Sequence, residues 1–291
     1  MIPEKVNTLK ATDSHFPGTL RQVQPPVTKL YWQGTNPSRW LDKPKVAVVG
    51  SRKVSAYGQL VTQQIVERLT DSGVVVISGL AMGVDSIAHQ TALSSYGVTV
   101  AVLPTALDNI YPPSNLNLAT RIVASGGSLI SEYSFGSPTY KHNFIVRNRI
   151  VCGLADALVI TEAAINSGTM HTARFALEAG ITVMSVPGNI TYQGSEGTNN
   201  LIKSGAIPVT DAGDILFALG ISPSKATSSR VLAGFGKKQQ NIYKLIRGGQ
   251  SDQDDLAKAA KLSGSQLVSI LTELEIAGAI RPTGGGQWVA L

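Results

Sequence analysis

From Lys45 to Gly220 the chain alternates short runs of β-branched and aliphatic residues with longer stretches whose apolar positions recur every three or four residues. The short runs are 45–49 (KVAVV), 74–77 (VVVI), 98–103 (VTVAVL), 128–131 (SLIS), 156–161 (DALVIT) and 182–186 (TVMSV). Near-continuous apolar runs of this length mark strands covered on both faces. Between them the periodicity predicts helices over 57–71, 84–95, 114–125, 143–154, 169–179 and 196–204. Glycines 73, 97, 126, 127 and 180 stand where the chain should leave a helix and enter a strand. Strand–helix alternation of this kind requires right-handed crossovers, so an α/β fold with a mostly parallel, doubly wound sheet is expected over 45–220.

The pattern changes at both ends. Residues 221–236, containing SPSKATSSRVLAGFG, read as a linker. Over 237–291 three helical stretches follow (237–247, 252–260, 264–277), then two short strands around a Gly-rich turn. Three helices and a hairpin predict a winged helix. Ser251 is the expected N-cap of the middle helix, with Asp254 three residues later. Residues 1–44 carry Pro17, Pro25, Pro26 and Pro37 and are expected to be irregular, packing on the sheet edge.

A chain of 291 residues is ample to bury a core. Its single cysteine, Cys152, excludes an internal disulfide and any multi-cysteine metal site. No apolar run approaches the roughly 18 residues of a membrane span, and MIPEKVNTLK has no signal-peptide core. No membrane association and a cytoplasmic location are therefore expected. The net charge of +6 divides as +3 over 1–44, −1 over 45–220 and +4 over 222–291. Any anion site in the central region must be a local cluster, not a broad positive field.

In open α/β sheets ligands bind beyond the C-terminal strand ends. Those ends carry Gly50-Ser51-Arg52, then Ser78-Gly79-Leu80-Ala81-Met82-Gly83, then Glu162 running on to Ser167-Gly168-Thr169, and finally Pro187-Gly188-Asn189. Small residues let backbone N–H groups approach an anion, and helix N-termini add a favourable dipole. Arg52 can fork onto phosphate oxygens. One glycine after a strand is usually a tight turn; several on one edge favour a phosphate site. A second cluster spans Lys141 to Arg149. On a helix starting near Asn143, Phe144, Arg147 and Asn148 share a face. That suits a nucleotide, charge for phosphate and ring for base. It equally suits a core phenylalanine beside a salt-bridging arginine, and from this stretch both readings stand.

Other features carry less. His15, His89, His142 and His171 lack ligand spacing, so no metal or other cofactor is expected. Asp85 and His89 lie four apart on one helix, which suits packing and helix start better than chemistry. Glu132 and Glu162 sit at strand ends without a nucleophile–base set, and Cys152 reads as inert core.

Taken in order, HFPGTLRQVQPPVTKLYWQG (15–34), VAVVGSRKVSAYG (46–58), VISGLAMGVDSIAHQTAL (76–93), TVAVLPTALDNIYP (99–112), LISEY (129–133), FIVRNRIVCGLADALVITEA (144–163), SGTMHTARFALEAG (167–180) and VPGNI (186–190) resemble the DNA-processing protein A (DprA/Smf) family of bacterial transformation proteins. The resemblance implies a Rossmann-like domain that binds single-stranded DNA, protects it and brings the RecA recombinase to it. It also implies a homodimer through that domain, a C-terminal winged helix and no known catalysis. By motif match, Gly50, Ser51 and Arg52, with Lys53, Ser55 and Gly79, should hold DNA phosphates. Lys141 and Phe144 should flank the strand with Arg147 and Asn148 beside them, and Ser167, Gly168 and Thr169 should form a second phosphate-facing loop. The loop lacks the G-x-G-x-x-G glycines because its phosphates belong to a strand, held by contacts and stacking without base readout.

Two departures from the family pattern stand out. About fourteen residues precede HFPGTL, where many members carry a helical module, so that module's functions are not expected. VITEA places Thr161 before Glu162, where a more apolar residue would be usual.

The third helix of the winged module, GSQLVSILTELEIAGA, carries Glu273 and Glu275, no Lys or Arg, and Gln266 as its one amide suited to DNA. A groove-reading helix needs more, so duplex sequence reading is not expected. The competing class is a Rossmann-like nucleotide phosphoribohydrolase, similar to the lysine decarboxylase-like enzymes. In NSGTMHTARFALE the first acid after Gly168 is Glu178, ten residues on, so its catalytic carboxylate is missing.

Overall fold

The six apolar runs become the parallel heart of one sheet in the computed structural model, which describes residues 6–221, 235–277 and 279–290. They are β3 (Lys45–Val49), β4 (Val75–Ser78), β5 (Thr99–Leu103), β6 (Ser128–Ser131), β7 (Ala157–Ile160) and β8 (Thr182–Ser185). With β1 (Asn7–Lys10), β2 (Lys29–Gly34) and β9 (Ile207–Pro208) the order is β1-β2-β6-β5-β4-β3-β7-β8-β9. β3 lies between β4 and β7, parallel to both, with Val46 opposite Val76 on one side and Ala157 on the other. The winding direction reverses there, which opens a crevice at the C-terminal ends of β3 and β7.

Alternate residues of each strand face opposite layers, as a pleated strand demands. Val46, Val48, Val76 and Val159 pack with Ile65 and Leu69 of α2 (Ala56–Asp71), Ala88 of α3 (Val84–Ser94) and Ile215 of α9 (Ala212–Ala218). Ala47, Val49, Ile77, Leu158 and Ile160 pack on the other face with Ile150 of α6 (Asn148–Gly153) and Ala173 of α7 (Gly168–Glu178). Farther along, Ala101, Leu103 and Leu129 meet Leu118 and Ile122 of α4 (Leu116–Ala124). The helix expected over 143–154 is broken at Arg147 into α5 (Asn143–Val146) and α6.

Residues 1–44 were expected to be irregular, and this needs correction. β2 joins the sheet antiparallel to β6, with Trp32 opposite Ile130, and β1 pairs antiparallel to β2. The prolines fall outside these strands: Pro17 precedes α1 (Gly18–Gln22), and Pro37 opens a 3-10 turn. Buried Trp40 pins the segment, its Nε1 donating to Ser128 Oγ at 3.0 Å.

The chain divides into two units, Met1–Pro223 and Ser224–Leu291. Most of the expected linker, 222–234, lies outside the described residues. The second unit holds α10 (Lys237–Arg247), α11 (Gln253–Ala260), α12 (Gly264–Ile276) and the hairpin β10 (Ile280–Gly284) and β11 (Gln287–Ala290), a winged helix around Ile242, Leu256, Leu267, Leu271 and Leu274. The cap of α11 is Asp252, not Ser251. Asp252 accepts from Asp254 N at 2.9 Å and Asp255 N at 3.2 Å, while Ser251 Oγ bonds Gln287 on the hairpin. On α12, Gln266 closes a capping box with Ser263, so its amide oxygen is already engaged.

Candidate functional site

A cleft of about 620 Å³ opens beyond the C-terminal ends of β3, β4 and β7. Eleven of the thirteen expected site residues line it: Gly50, Ser51, Arg52, Lys53, Gly79, Phe144, Arg147, Asn148, Ser167, Gly168 and Thr169. Ser55 and Lys141 lie outside that lining.

The loop after β3 is held by its neighbours on both sides. Ser51 N donates to Glu162 O at 2.7 Å, and Ser51 O accepts from Val84 N at 3.1 Å. Ser51 Oγ accepts from Lys53 N at 3.1 Å, which closes a tight turn and leaves Arg52 and Lys53 exposed. Ser55 caps α2 through Gly58 N at 3.1 Å and, with its own N–H and hydroxyl, bonds the buried Glu162 carboxylate. Ser55 and Glu162 thus brace the loop from behind. Thr161 leaves that arrangement intact: its hydroxyl pairs with Thr62 Oγ1 at 2.8 Å inside the core.

Two expected phosphate ligands have other partners. Gly79 N donates to Asp85 Oδ2 at 3.1 Å, with Ala81 N at 3.4 Å from the same oxygen; the loop after β4 wraps its own carboxylate, and the Gly79 N–H is not free for an anion. Arg147 is only 5% exposed. Its Nη1 donates to Gly79 O at 2.5 Å and to Val102 O, and its Nε to Asn148 Oδ1 at 3.0 Å. A Cβ at position 79 would stand 2.4 Å from Arg147 Nη2 and displace the guanidinium. Arg147 and Gly79 therefore support the cleft floor from below, and the free cations are Arg52 and Lys53 above.

Burial lowers the Arg147 guanidinium to about 10, with neighbouring Arg52 adding to the shift and Asp85 opposing it. The Asp85 carboxyl is raised by burial, with Arg147 drawing it back. His89 is buried in the packing, as expected, where it shares a 2.7 Å hydrogen bond with Thr99, and burial lowers it to about 3. Glu132 accepts both its bonds from Arg149 Nη2, at 2.7 and 2.8 Å. Cys152 is buried, its thiol pushed up to about 12.

Across the cleft α7 presents its N-terminus. Ser167 is the N-cap but makes no cap bond, and its buried hydroxyl has no partner. An added Cβ on Gly168 would meet open space. Unblocked first-turn N–H groups and the positive helix end make an anion cradle. Phe144 is half-buried, its ring edge-to-face on Tyr111 at 4.9 Å and 80°. Lys141 is exposed nearby in sequence, and its chain neighbours Tyr140 and His142 stack their rings on each other (5.6 Å, 8°). Glu178, the first acid after Gly168, ends α7 paired with Arg174 at 2.7 Å.

Asp85 and Tyr192-Gln193-Gly194 also line the cleft and were not among the expected residues. Asp85 serves the loop after β4, a role its spacing from His89 along α3 does not reveal. Tyr192 belongs to the stretch just after VPGNI, where no strand or helix end flags it. Among the described residues no group of three His, Cys, Asp or Glu is placed to hold a metal, and no helix is long and apolar enough to cross a membrane.

The family model described as DNA recombination-mediator protein A matches residues 7–220, and that of the DprA winged helix domain matches 227–286. Protein Smf of Escherichia coli (strain K12) is 38% identical over 249 residues, 83% of this chain and 67% of its own. DNA processing protein DprA of Streptococcus pneumoniae is 36% identical over 213 residues, 73% of this chain and 74% of its own. The chain spans about two thirds of several such relatives, 63% in the case of the putative DNA processing protein DprA of Mycobacterium tuberculosis. Among solved structures, DNA processing protein A from Streptococcus pneumoniae superposes with a TM-score of 0.68 at 35% identity, covering 74% of each chain. DNA processing protein A from Helicobacter pylori, described for its single-stranded DNA binding mode, gives 0.66 at 32% identity, covering 74% of this chain and 95% of that one.

Proposed function

The chain belongs to the DNA recombination-mediator protein A family, and on that footing we propose that its strand-end cleft binds single-stranded DNA through phosphates and stacked bases. One observation carries the reading. A single cleft collects exposed Arg52 and Lys53, the unblocked N-terminus of α7 and the half-buried ring of Phe144. Cations and open amides suit phosphate oxygens; a ring held edge-on by Tyr111 offers a face to a base. Few cations are needed when a second copy continues the path, so the functional unit is a homodimer through the α/β unit. In the cytoplasm this dimer protects incoming DNA during transformation and hands it to the RecA recombinase. The winged helix contributes a protein contact or weak non-specific DNA affinity, since the outer face of α12 carries Glu273 and Glu275 and no cation.

Fluorescence anisotropy of a labelled single strand and its duplex, at two salt concentrations, tests the reading. Preference for the single strand that weakens with salt is expected. Equal weak binding to both would leave only general basic attraction, and release of free base from a nucleoside monophosphate would favour the hydrolase class instead. Arg52→Ala should flatten the logarithmic salt dependence by about 0.7, one phosphate contact on a single strand; an unchanged slope in a folded variant removes that contact. Phe144→Ala should weaken binding by about 1–3 kcal/mol with the slope unaltered, checked in the same titration.

A further inference from the structure

Beside the phosphate cleft lies a second one, of about 640 Å³, between the start of α2 and the loop after β8. Its walls include Tyr57, Pro187, Asn189, Tyr192 and Ser195. Tyr192 lines both clefts, so the two share a wall.

The walls are fixed in place. The Tyr57 hydroxyl donates to Pro187 O at 2.8 Å, although the ring is 47% exposed. Asn199 clamps the facing loop through both backbone groups of one residue, its Oδ1 accepting from Gly188 N and its Nδ2 donating to Gly188 O, each at 3.1 Å. The ring of Tyr192, 40% exposed, lies against Gly194, where an added Cβ would stand 2.3 Å from it. Asn189 Oδ1 accepts from the Thr191 N–H and hydroxyl at 2.9 Å each, which leaves its amide NH2 as a donor on the same wall.

Two large rings held still while half exposed are suited to stacking. They offer broad contact area, and little motion is left to lose on binding. The site also adjoins the place where phosphates are proposed to sit. We infer that the second cleft receives an unpaired nucleobase of the bound strand, stacked against Tyr57 and Tyr192, with the Asn189 amide donating to a ring nitrogen or carbonyl. The inference rests on the single-strand reading above and supplies its discriminating element. A base inside a duplex is stacked and paired and must leave the helix to enter a pocket. Phosphate contacts alone would not separate the two forms so sharply.

The test uses the full chain and a single strand carrying 2-aminopurine, alongside a strand of equal length with abasic positions. The free base analogue should change its fluorescence on binding wild type. Tyr192→Ala and Tyr57→Ala should each weaken binding of the normal strand by about 5- to 150-fold, with the salt slope unchanged and the abasic strand bound as by wild type. Tyr57→Phe keeps the ring and should retain most of the affinity, which covers the case of an alanine variant that fails to fold. No 2-aminopurine signal, or alanine variants that bind like wild type, would sink the inference while salt-dependent binding still upheld the phosphate cleft. Equal losses on the abasic strand would also overturn it, because the tyrosines would then not be acting on bases. Saturation by a free nucleotide without competition against the strand would assign the cleft to another ligand. Wild type that binds no single strand at all would take down both readings together.

Discussion

Arg147→Met should destabilise the α/β unit by about 3–5 kcal/mol, the cost of removing one partner from a buried charged cluster. The guanidinium is buried beneath the β4 loop, donates to the carbonyls of Gly79 and Val102, and is the nearby charge that draws Asp85 back toward ionisation. Without it both carbonyls lose a donor, and the Asp85 carboxyl, already raised by burial, rises further. The sign of the pH dependence follows. A carboxyl whose folded value exceeds its unfolded one holds an extra proton in the native state. The stability it contributes is fully present below the unfolded value and is lost as pH rises through the folded one. The variant's deficit relative to wild type is therefore smallest in acid and largest near neutrality, and adding Asp85→Asn should restore part of it at pH 7. Urea denaturation of the single and double variants between pH 4 and 8 checks this. A deficit that ignores pH, with no rescue, would reduce Arg147 to a packing role.

The second large effect is expected at Gly83. Its φ is +77°, and a Cβ there would lie 2.2 Å from Ser51 O and 2.7 Å from Arg52 O. Both obstacles are backbone, so the β3 loop itself must move. Gly83→Ala should cost about 3 kcal/mol and lower single-strand affinity at least tenfold, because the displaced residues are the two that lead into the cleft proposed to hold phosphates. Gly73→Ala is the control: its φ is also +77°, yet nothing lies within 4 Å of the added atom. It should carry only the backbone strain, about 1–2 kcal/mol, and bind DNA as wild type. Equal losses of affinity in both variants would mean that strain, and not displacement of the loop, explains the result.

The parallel sheet was legible because strands covered on both faces need unbroken apolar runs, and KVAVV or VTVAVL has no other good use. The strand-end cleft was legible from small residues at several strand ends of one sheet edge. Arg147 was not, because a cation on a helix face looks the same in sequence whether it meets solvent or threads under a loop. Here it turns inward to the carbonyls of Gly79 and Val102, which lie 68 and 45 residues away in the chain and which local periodicity does not encode. Gly79 was misread for a related reason: its N–H has a carboxylate six residues on, and only the folded loop brings Asp85 back to it. β1 and β2 were hidden by neighbouring prolines, although β2 alternates partly between buried and exposed positions. Tyr57 and Tyr192 line one cleft only because the loop after β8 returns beside α2, where Tyr57 bonds Pro187 across 130 residues of chain.

The outer strands of the sheet carry one more consequence. At one margin β9 is two residues long and ends in Pro208, which has no N–H to offer; at the other β1 is four residues long and ends in exposed Lys10. Neither gives another chain a straight, unpaired ladder on which to grow. Local crowding is the condition under which open sheets fuse into aggregates. With both margins blunted, copies of the chain can crowd together and still separate.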